Sequence, residues 1–162
     1  MNAQSEFEEV CLPYYAQVQG LCRRMLGPQR AQDAAQETFA KALQKFPSLQ
    51  DRPAARGWLF TIATHHCFDL LRARSESPLE EWEKTAPAEH RDLASALIGE
   101  SILAGVPARP RSLLVLRHYL QLSYQEIASV LEIPADQVGV ALQRARAEAL
   151  KFARQRGLTD GL

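Results

Sequence analysis

Residues 122–154 read LSYQEIASVLEIPADQVGVALQRARAEALKFAR. Ser123 followed three positions later by Glu126 has the spacing of a capping box, in which each side chain satisfies a backbone N–H at the start of a helix. The pattern predicts a short helix over Tyr124 to Leu131 with Ile127 and Leu131 inward, and between them the small Ala128, where a second helix can cross closely. Glu132, Ile133 and Pro134 form a turn with Ile133 as its apolar plug. A longer helix begins near Ala135 with Val138 and Leu142 inward. Short helix, tight turn and longer helix make a helix-turn-helix, whose second helix lies in the DNA major groove. A plain helical hairpin that packs without reading DNA shares this periodicity, but capping box, small residue, plug and trailing basic residues agree on the DNA-binding form. The second helix ends in QRARAEALK, where Arg144, Arg146 and Lys151 can reach phosphates or base edges. Taken singly, each is also ordinary solvated surface.

The block containing this motif starts near Ala94, breaks at Val106-Pro107 and continues as a helix from about Pro110 to Leu120, with Leu113, Leu114, Leu116 and Leu120 apolar. At the other end of the chain Phe7, Val10, Tyr14, Val18, Leu21 and Met25 recur at spacings of three and four, the mark of an amphipathic helix. Ser5 with Glu8 repeats the capping-box spacing at its start, Pro13 breaks or kinks it, and Gly27-Pro28 ends it. A second helix is expected from about Arg30 to Phe46, with Ala35, Phe39, Leu43 and Phe46 apolar and Pro47 as its stop. After the loop SLQDRP a third runs from about Ala55 to Arg74, with Trp58, Leu59, Ile62, Ala63, Leu70 and Leu71 inward. No stretch alternates as a strand does. The expected class is therefore all-α: two small helical domains joined by an acidic linker, the second carrying the helix-turn-helix.

The 162 residues hold 19 Lys plus Arg against 19 Asp plus Glu. A neutral total argues against nucleic-acid binding, where a basic surface is the usual footprint, but the zero is a sum of unlike parts. Residues 1–74 carry nine basic and seven acidic groups, residues 75–98 two and six, and residues 99–162 eight and six. Two mildly basic blocks, 1–74 and 99–162, flank an acidic segment with Pro78 and Pro87 that reads as a linker. Extended, it reaches about 80 Å at ~3.3 Å per residue, so the blocks can act at separated places. No apolar run approaches the length of a membrane span, and the start, MNAQSEFEEV, lacks the basic-then-apolar order of a secretory signal. The expected location is cytoplasmic, without membrane insertion.

Cys11, Cys22 and Cys67 are an odd number with no Cys-x-x-Cys pair, which fits reduced core residues better than a disulfide framework or a thiolate zinc site. The run His65-His66-Cys67 invites a metal reading, but adjacent helical residues point about 100° apart and do not easily converge on one ion. There is no Gly-rich phosphate loop and no Ser-His-Asp grouping, and the carboxylates are scattered over helices. No enzyme, cofactor or metal is expected.

Together the two blocks resemble a bacterial RNA polymerase sigma factor of the extracytoplasmic-function (ECF) group, and the resemblance covers nearly the whole chain. AQDAAQETFAKAL looks like the part of sigma region 2 that grips the polymerase clamp. RGWLFTIATHHCFDLLRAR looks like the part that melts and reads the −10 element. VPARPRSLLVLRHYLQLSYQEIASVLEIP with QVGVALQRARAEAL is similar to region 4, which reads the −35 element. The implied partners are core RNA polymerase and promoter DNA, with an anti-sigma protein as a further candidate. Asp33, Gln36, Glu37 and Lys41 would form the polymerase-binding stripe. Arg56, Phe60, His65, His66, Arg72 and Arg74 would hold the melted −10 strand, with Phe68 nearby. Ser123, Tyr124, Gln125, Gln137, Gln143, Arg144 and Arg146 would meet the −35 element. The loop from Ser48 to Ala55 would help form a pocket for a flipped base, and Trp58 is either a core residue or a DNA contact. In the linker, Glu80, Glu81 and Glu83 would mimic nucleic-acid charge inside the polymerase.

Departures from the family pattern are local. A basic residue is usual where Thr64 stands and Asn where His65 stands. On the recognition helix a Lys-Ser-Arg run is replaced by Gly139, Val140 and Ala141, and the turn glycine by Glu132. The reading is a sigma factor that directs promoter recognition and transcription initiation. The alternative is a sigma-like adaptor that binds polymerase or a regulator and has lost promoter-specific binding.

Overall fold

The computed structural model describes residues 2–74 and 93–158, without the side chains of 93 and 94. The helices are α1 (Ala3–Cys11), α2 (Tyr15–Leu26), α3 (Ala31–Lys45), α4 (Ala55–Arg74), α5 (Leu93–Leu97), α6 (Glu100–Leu103), α7 (Ala108–Leu114), α8 (Tyr124–Leu131) and α9 (Ala135–Gln155). No strand occurs among the described residues. The acidic stretch with Glu80, Glu81 and Glu83 lies outside them.

Pro13 divides the first amphipathic segment as expected. The chain tightens into a 3₁₀ turn over Leu12–Tyr14, because proline removes an N–H that a continuous helix needs. The start of α1 differs from expectation. Ser5 is inside the helix, and Asn2 is the cap, its Oδ1 accepting the Ser5 N–H at 2.8 Å. Asn caps as well as Ser does, so the helix begins one turn earlier than the Ser5/Glu8 spacing suggests. On α3 the buried row is Ala31, Ala34, Ala35, Thr38, Phe39 and Ala42. Leu43, expected inward, is 38% exposed, since it follows Ala42 and turns about 100° away from the row.

In α4, Leu59, Phe60, Ala63, Thr64, His66 and Cys67 are buried, while Trp58, Ile62, Leu70 and Leu71 pack along its edges. The helix is covered on two sides: α2 and α3 pack on it, and so does α8. Cys11, Cys22 and Cys67 are fully buried free thiols, with Cys22 and Cys67 Sγ atoms 3.9 Å apart. The Cys22 thiol, and then burial, push the Cys67 thiol well above its ordinary range.

The helix-turn-helix forms where the sequence places it. Ser123 Oγ accepts the Glu126 N–H at 3.1 Å, and Glu126 Oε1 accepts the Ser123 N–H at 2.9 Å. The Ser123 backbone N–H holds the Glu126 carboxyl below the usual carboxylate range. Glu132 takes the left-handed conformation with φ 58°, the geometry that usually selects glycine. The preceding helix starts at Ala108, ahead of Pro110, because a proline in the first turn lacks an N–H that would be unpaired anyway. It then widens into a π-helical turn over Val115–Tyr119.

A second set of contacts joins the two halves of the chain. Arg111 on α7 is 7% exposed. Its Nε and Nη2 donate to the Val106 carbonyl at 3.0 and 2.8 Å, and its Nη1 donates to the Met25 carbonyl at the end of α2. Burial pulls the Arg111 guanidinium down to about 10, so it is charged at neutral pH. The Tyr119 ring fills the space over Gly20 that a Cβ would need, and Arg24 stacks on the same ring 3.6 Å from its centre. Arg23 pairs with Glu100, and Arg109 lies 5.5 Å from the Phe68 ring centre.

Two helix-interior glycines separate the contribution of this seam from that of helix propensity. At Gly139 a Cβ would meet only Tyr124 Cε2, at 3.5 Å, so Gly139→Ala is expected to stabilise by about 1 kcal/mol and raise the thermal midpoint by roughly 2–4 °C. Gly20→Ala has the same intrinsic gain but must displace Tyr119, and a lowered midpoint is expected by calorimetry. A Gly20→Ala midpoint equal to that of Gly139→Ala would show that Tyr119 does not hold the halves together. For Glu126, a depressed folded value means that its stabilisation is present above the ordinary glutamate range of about 4.3 and fades as pH falls through the lower folded value. The wild-type midpoint should therefore drop more than that of Glu126→Gln between about pH 6 and about pH 3; parallel pH curves would remove this role.

Candidate nucleic-acid interface

The residues expected to bind polymerase lie on α3. Asp33, Gln36 and Glu37 are exposed and Lys41 is half-buried along one side of the helix, opposite Ala35, Phe39 and Ala42. Glu37 and Lys41 are tied together through α4: Lys41 Nζ donates to His66 Nδ1 at 2.8 Å, and His66 Nε2 donates to Glu37 Oε2 at 2.6 Å. His66, expected among the strand-holding residues, is 6% exposed. It braces the α3 stripe instead of facing solvent.

The other α4 residues divide in a similar way. Phe60, expected to offer an aromatic face, is fully buried, with the Arg56 guanidinium 5.1 Å from its ring centre. Position 60 shares the inward row with Leu59 and Ala63 rather than the outer face. Arg56 Nη2 donates to the Leu120 carbonyl at 3.0 Å, and Nη1 lies 3.6 Å from Glu126 Oε2. His65 Nε2 donates to the Val130 carbonyl at 2.9 Å, and its ring meets Phe68 edge-on at 5.9 Å. The Val130 carbonyl is available for a simple reason: its partner in a continuing helix would be the N–H of residue 134, and Pro134 has none. Arg72 is exposed and pairs with Asp69 at 3.3 Å, and Arg74 is half-buried at the end of α4. Thr64, where a basic residue is usual, is fully buried. A charge in that setting would have to be paired. Trp58 packs against Phe46 with ring centres 6.4 Å apart, which favours the core over a DNA contact.

In the helix-turn-helix, Tyr124 and Gln125 are exposed at the start of α8, while the Ser123 side chain is engaged as the cap. On α9, Gln137, Gln143 and Arg144 are exposed along one face with Asp136 and Val140. Arg146 is half-buried, its Nε donating to His118 Nε2 at 3.2 Å. It therefore braces α9 against the π-helical turn rather than extending the outer face.

Sequence reasoning missed the seam that joins the halves. Arg56 and His65 on α4 both bond to the α8 region, so the side of α4 expected to face a melted strand is covered by the motif expected to read duplex DNA. Arg24, Arg109, Arg111 and Tyr119 complete that seam. Only two weak signals were available in the chain: a glycine inside an amphipathic helix at position 20, and an arginine, Arg111, at the head of the apolar run Leu113–Leu116.

The chain matches the family model for sigma-70 region 2 over residues 12–76 and that for sigma-70 region 4 over residues 100–148. It is similar to the RNA polymerase sigma factor YlaC of Bacillus subtilis, 30% identical over 163 residues that cover 93% of this chain and 94% of that one. It is also similar to the ECF RNA polymerase sigma factor SigW of Bacillus subtilis, 28% identical over 91% of this chain and 88% of that one. Its fold matches that of the sigma factor RpoE from Bartonella quintana, solved in complex with the anti-sigma factor NepR, with a TM-score of 0.74, 20% identity and coverage of 92% and 97% of the two chains. With a region 2 unit, a region 4 unit and a helix-turn-helix in this order, the chain belongs to the ECF group of RNA polymerase sigma factors.

Proposed function

We propose that this sigma factor binds core RNA polymerase through the exposed α3 stripe of Asp33, Gln36, Glu37 and Lys41, and directs initiation by presenting α4 to the −10 element and α9 to the −35 element. The observation that carries this reading is the ordered pair of region 2 and region 4 units, the second with a capped helix-turn-helix. It works as an initiation factor in the cytoplasm, not as an enzyme. No helix of the described residues is long and apolar enough to cross a membrane.

Engagement of both promoter elements requires the halves to part, because α8 covers Arg56 and His65 in the closed arrangement. The outer face of α9 carries little charge: Arg144 is the one basic residue among Asp136, Gln137, Val140, Gln143 and Arg144 there. Two basic residues of the usual recognition run are missing, so the salt slope of binding should be flatter by about 0.9 per lost phosphate contact. The polymerase thus supplies most of the hold on DNA. An anti-sigma protein is proposed as a further partner, in line with the NepR complex of the structurally similar RpoE.

Run-off transcription with cognate core polymerase and a genomic promoter library tests the function. Specific transcripts are expected; tight core binding without any would favour the adaptor, for which the loss of basic residues at Gly139, Val140 and Ala141 is the motivating observation. Asp33→Ala combined with Glu37→Ala should weaken core binding about tenfold or more, since several charge-assisted contacts are lost, while circular dichroism retains the helical signal. Unchanged affinity would move the polymerase contact off α3.

A further inference from the structure

Four large hydrophobic side chains stand exposed among the described residues: Leu12, Leu43, Tyr124 and Val140. Two of the four belong to the helix-turn-helix, and Val140, at 51%, is the most exposed. Its place on α9 is specific. Asp136 and Gln137 lie four and three residues before it, Gln143 and Arg144 three and four after, and all four are exposed, so Val140 is the apolar centre of an otherwise polar outer face. The patch continues toward α8. The Tyr124 ring lies beside Gly139, close enough that a Cβ there would touch Cε2 at 3.5 Å, and Arg117 sits 5.1 Å from the Tyr124 ring centre.

Neither helix formation nor packing accounts for valine here. A β-branched residue is a weaker helix former than the straight-chain residues that usually fill exposed positions, and Val140 is outside the buried row of Val138, Leu142, Ala145 and Ala149. The chemistry of a recognition helix does account for it. In the major groove, Gln pairs bidentately with adenine, Arg with guanine, and an apolar side chain meets the C5-methyl group of thymine, which no other base of ordinary DNA carries. A β-branched side chain has few χ1 states, so its methyls are held in nearly fixed positions. The outer face also sums to no charge, one Asp against one Arg, so discrimination must come from base edges rather than from attraction to phosphates.

We propose that Val140 is a specificity-determining residue that reads a thymine methyl in the −35 element, flanked by polar readout from Gln137, Gln143 and Arg144, with Tyr124 extending the apolar contact. This rests on the promoter-reading function above and names the base chemistry that this altered recognition helix selects. The residues that replace the usual basic run thereby exchange charge for methyl recognition.

The test uses the holoenzyme assembled from the full chain and core polymerase, with −35 sequences selected from a randomised duplex library upstream of a fixed −10 element. Each thymine of the selected −35 element is then replaced by deoxyuridine, which lacks only the methyl. Loss of one buried methyl corresponds to about a fourfold weakening, roughly 0.8 kcal/mol, and such a loss is expected at one or two neighbouring positions with the wild-type protein. Val140→Ala should be insensitive to the same replacement and should relax the preference for thymine there, while Val140→Ile retains both. Because Val140 is exposed and alanine favours the helix, neither variant is expected to impair folding, which melting curves check. Deoxyuridine without effect at every −35 position, while the holoenzyme still initiates at the selected promoters, overturns the thymine reading alone. Val140→Ala that weakens all promoters equally, or that weakens polymerase binding without DNA, overturns it in favour of a protein-facing role. A holoenzyme that selects no −35 sequence and initiates nowhere overturns the promoter-reading function itself, and this inference with it.

Discussion

The closed arrangement depends on carbonyls at helix ends. An α-helix leaves its last C=O groups without intrahelical partners, and buried ends must find donors elsewhere. Here three such carbonyls are met by side chains from the opposite half of the chain: Met25 at the end of α2 by Arg111, Leu120 at the end of the π-helical turn by Arg56, and Val130 at the end of α8 by His65. The guanidinium donors Arg111 and Arg56 suit such positions because the C-terminal end of a helix carries partial negative charge. Arg111 is the strongest case. It is nearly buried, and a buried guanidinium is tolerated where its donors have acceptors, as they do in Val106 and Met25.

This set of bonds engages two of the residues proposed to meet DNA. Under the proposed function, Arg56 would grip a strand after leaving Leu120 and Glu126, and His65 after leaving Val130. The bonds are polar, so water or phosphate oxygens would replace their acceptors if the halves separated. Within each half, α4 also packs on α2 and α3, and α8 on α9, through contacts separate from these bonds. The α3 stripe proposed to bind polymerase lies outside this seam, with Asp33, Gln36 and Glu37 exposed.

The helices and their spacing were legible because they rest on local rules. The bounds of α4 and α8, the kink at Pro13, the Ser123/Glu126 capping box and the Glu132 turn all follow from side chains acting on backbone within a few residues. Errors arose where two local rules competed or where one step of rotation mattered, as with Asn2 in place of Ser5 at the first cap and Leu43 outside the buried row of α3. Among site residues, exposed polar positions such as Asp33, Glu37, Gln137 and Arg144 lie on the faces that their periodicity implies. Phe60 and His66 do not, because α4 is packed on more than one side and a helix with two buried faces has no single apolar stripe to read.

By itself the sequence determined an all-helical chain, its order of sigma region 2 and region 4 units, and a recognition helix in which Gly139, Val140 and Ala141 stand in place of a basic run. These depend on residue type and spacing along the chain, which are fully present in one dimension. Only the tertiary structure decided that Arg56 and His65 are engaged by the helix-turn-helix region and that Arg111 is a buried clasp. Those facts concern residues as many as 86 positions apart in the chain. Their partners are mainly backbone carbonyls, which every residue carries, so the side-chain pattern holds only weak signs of them.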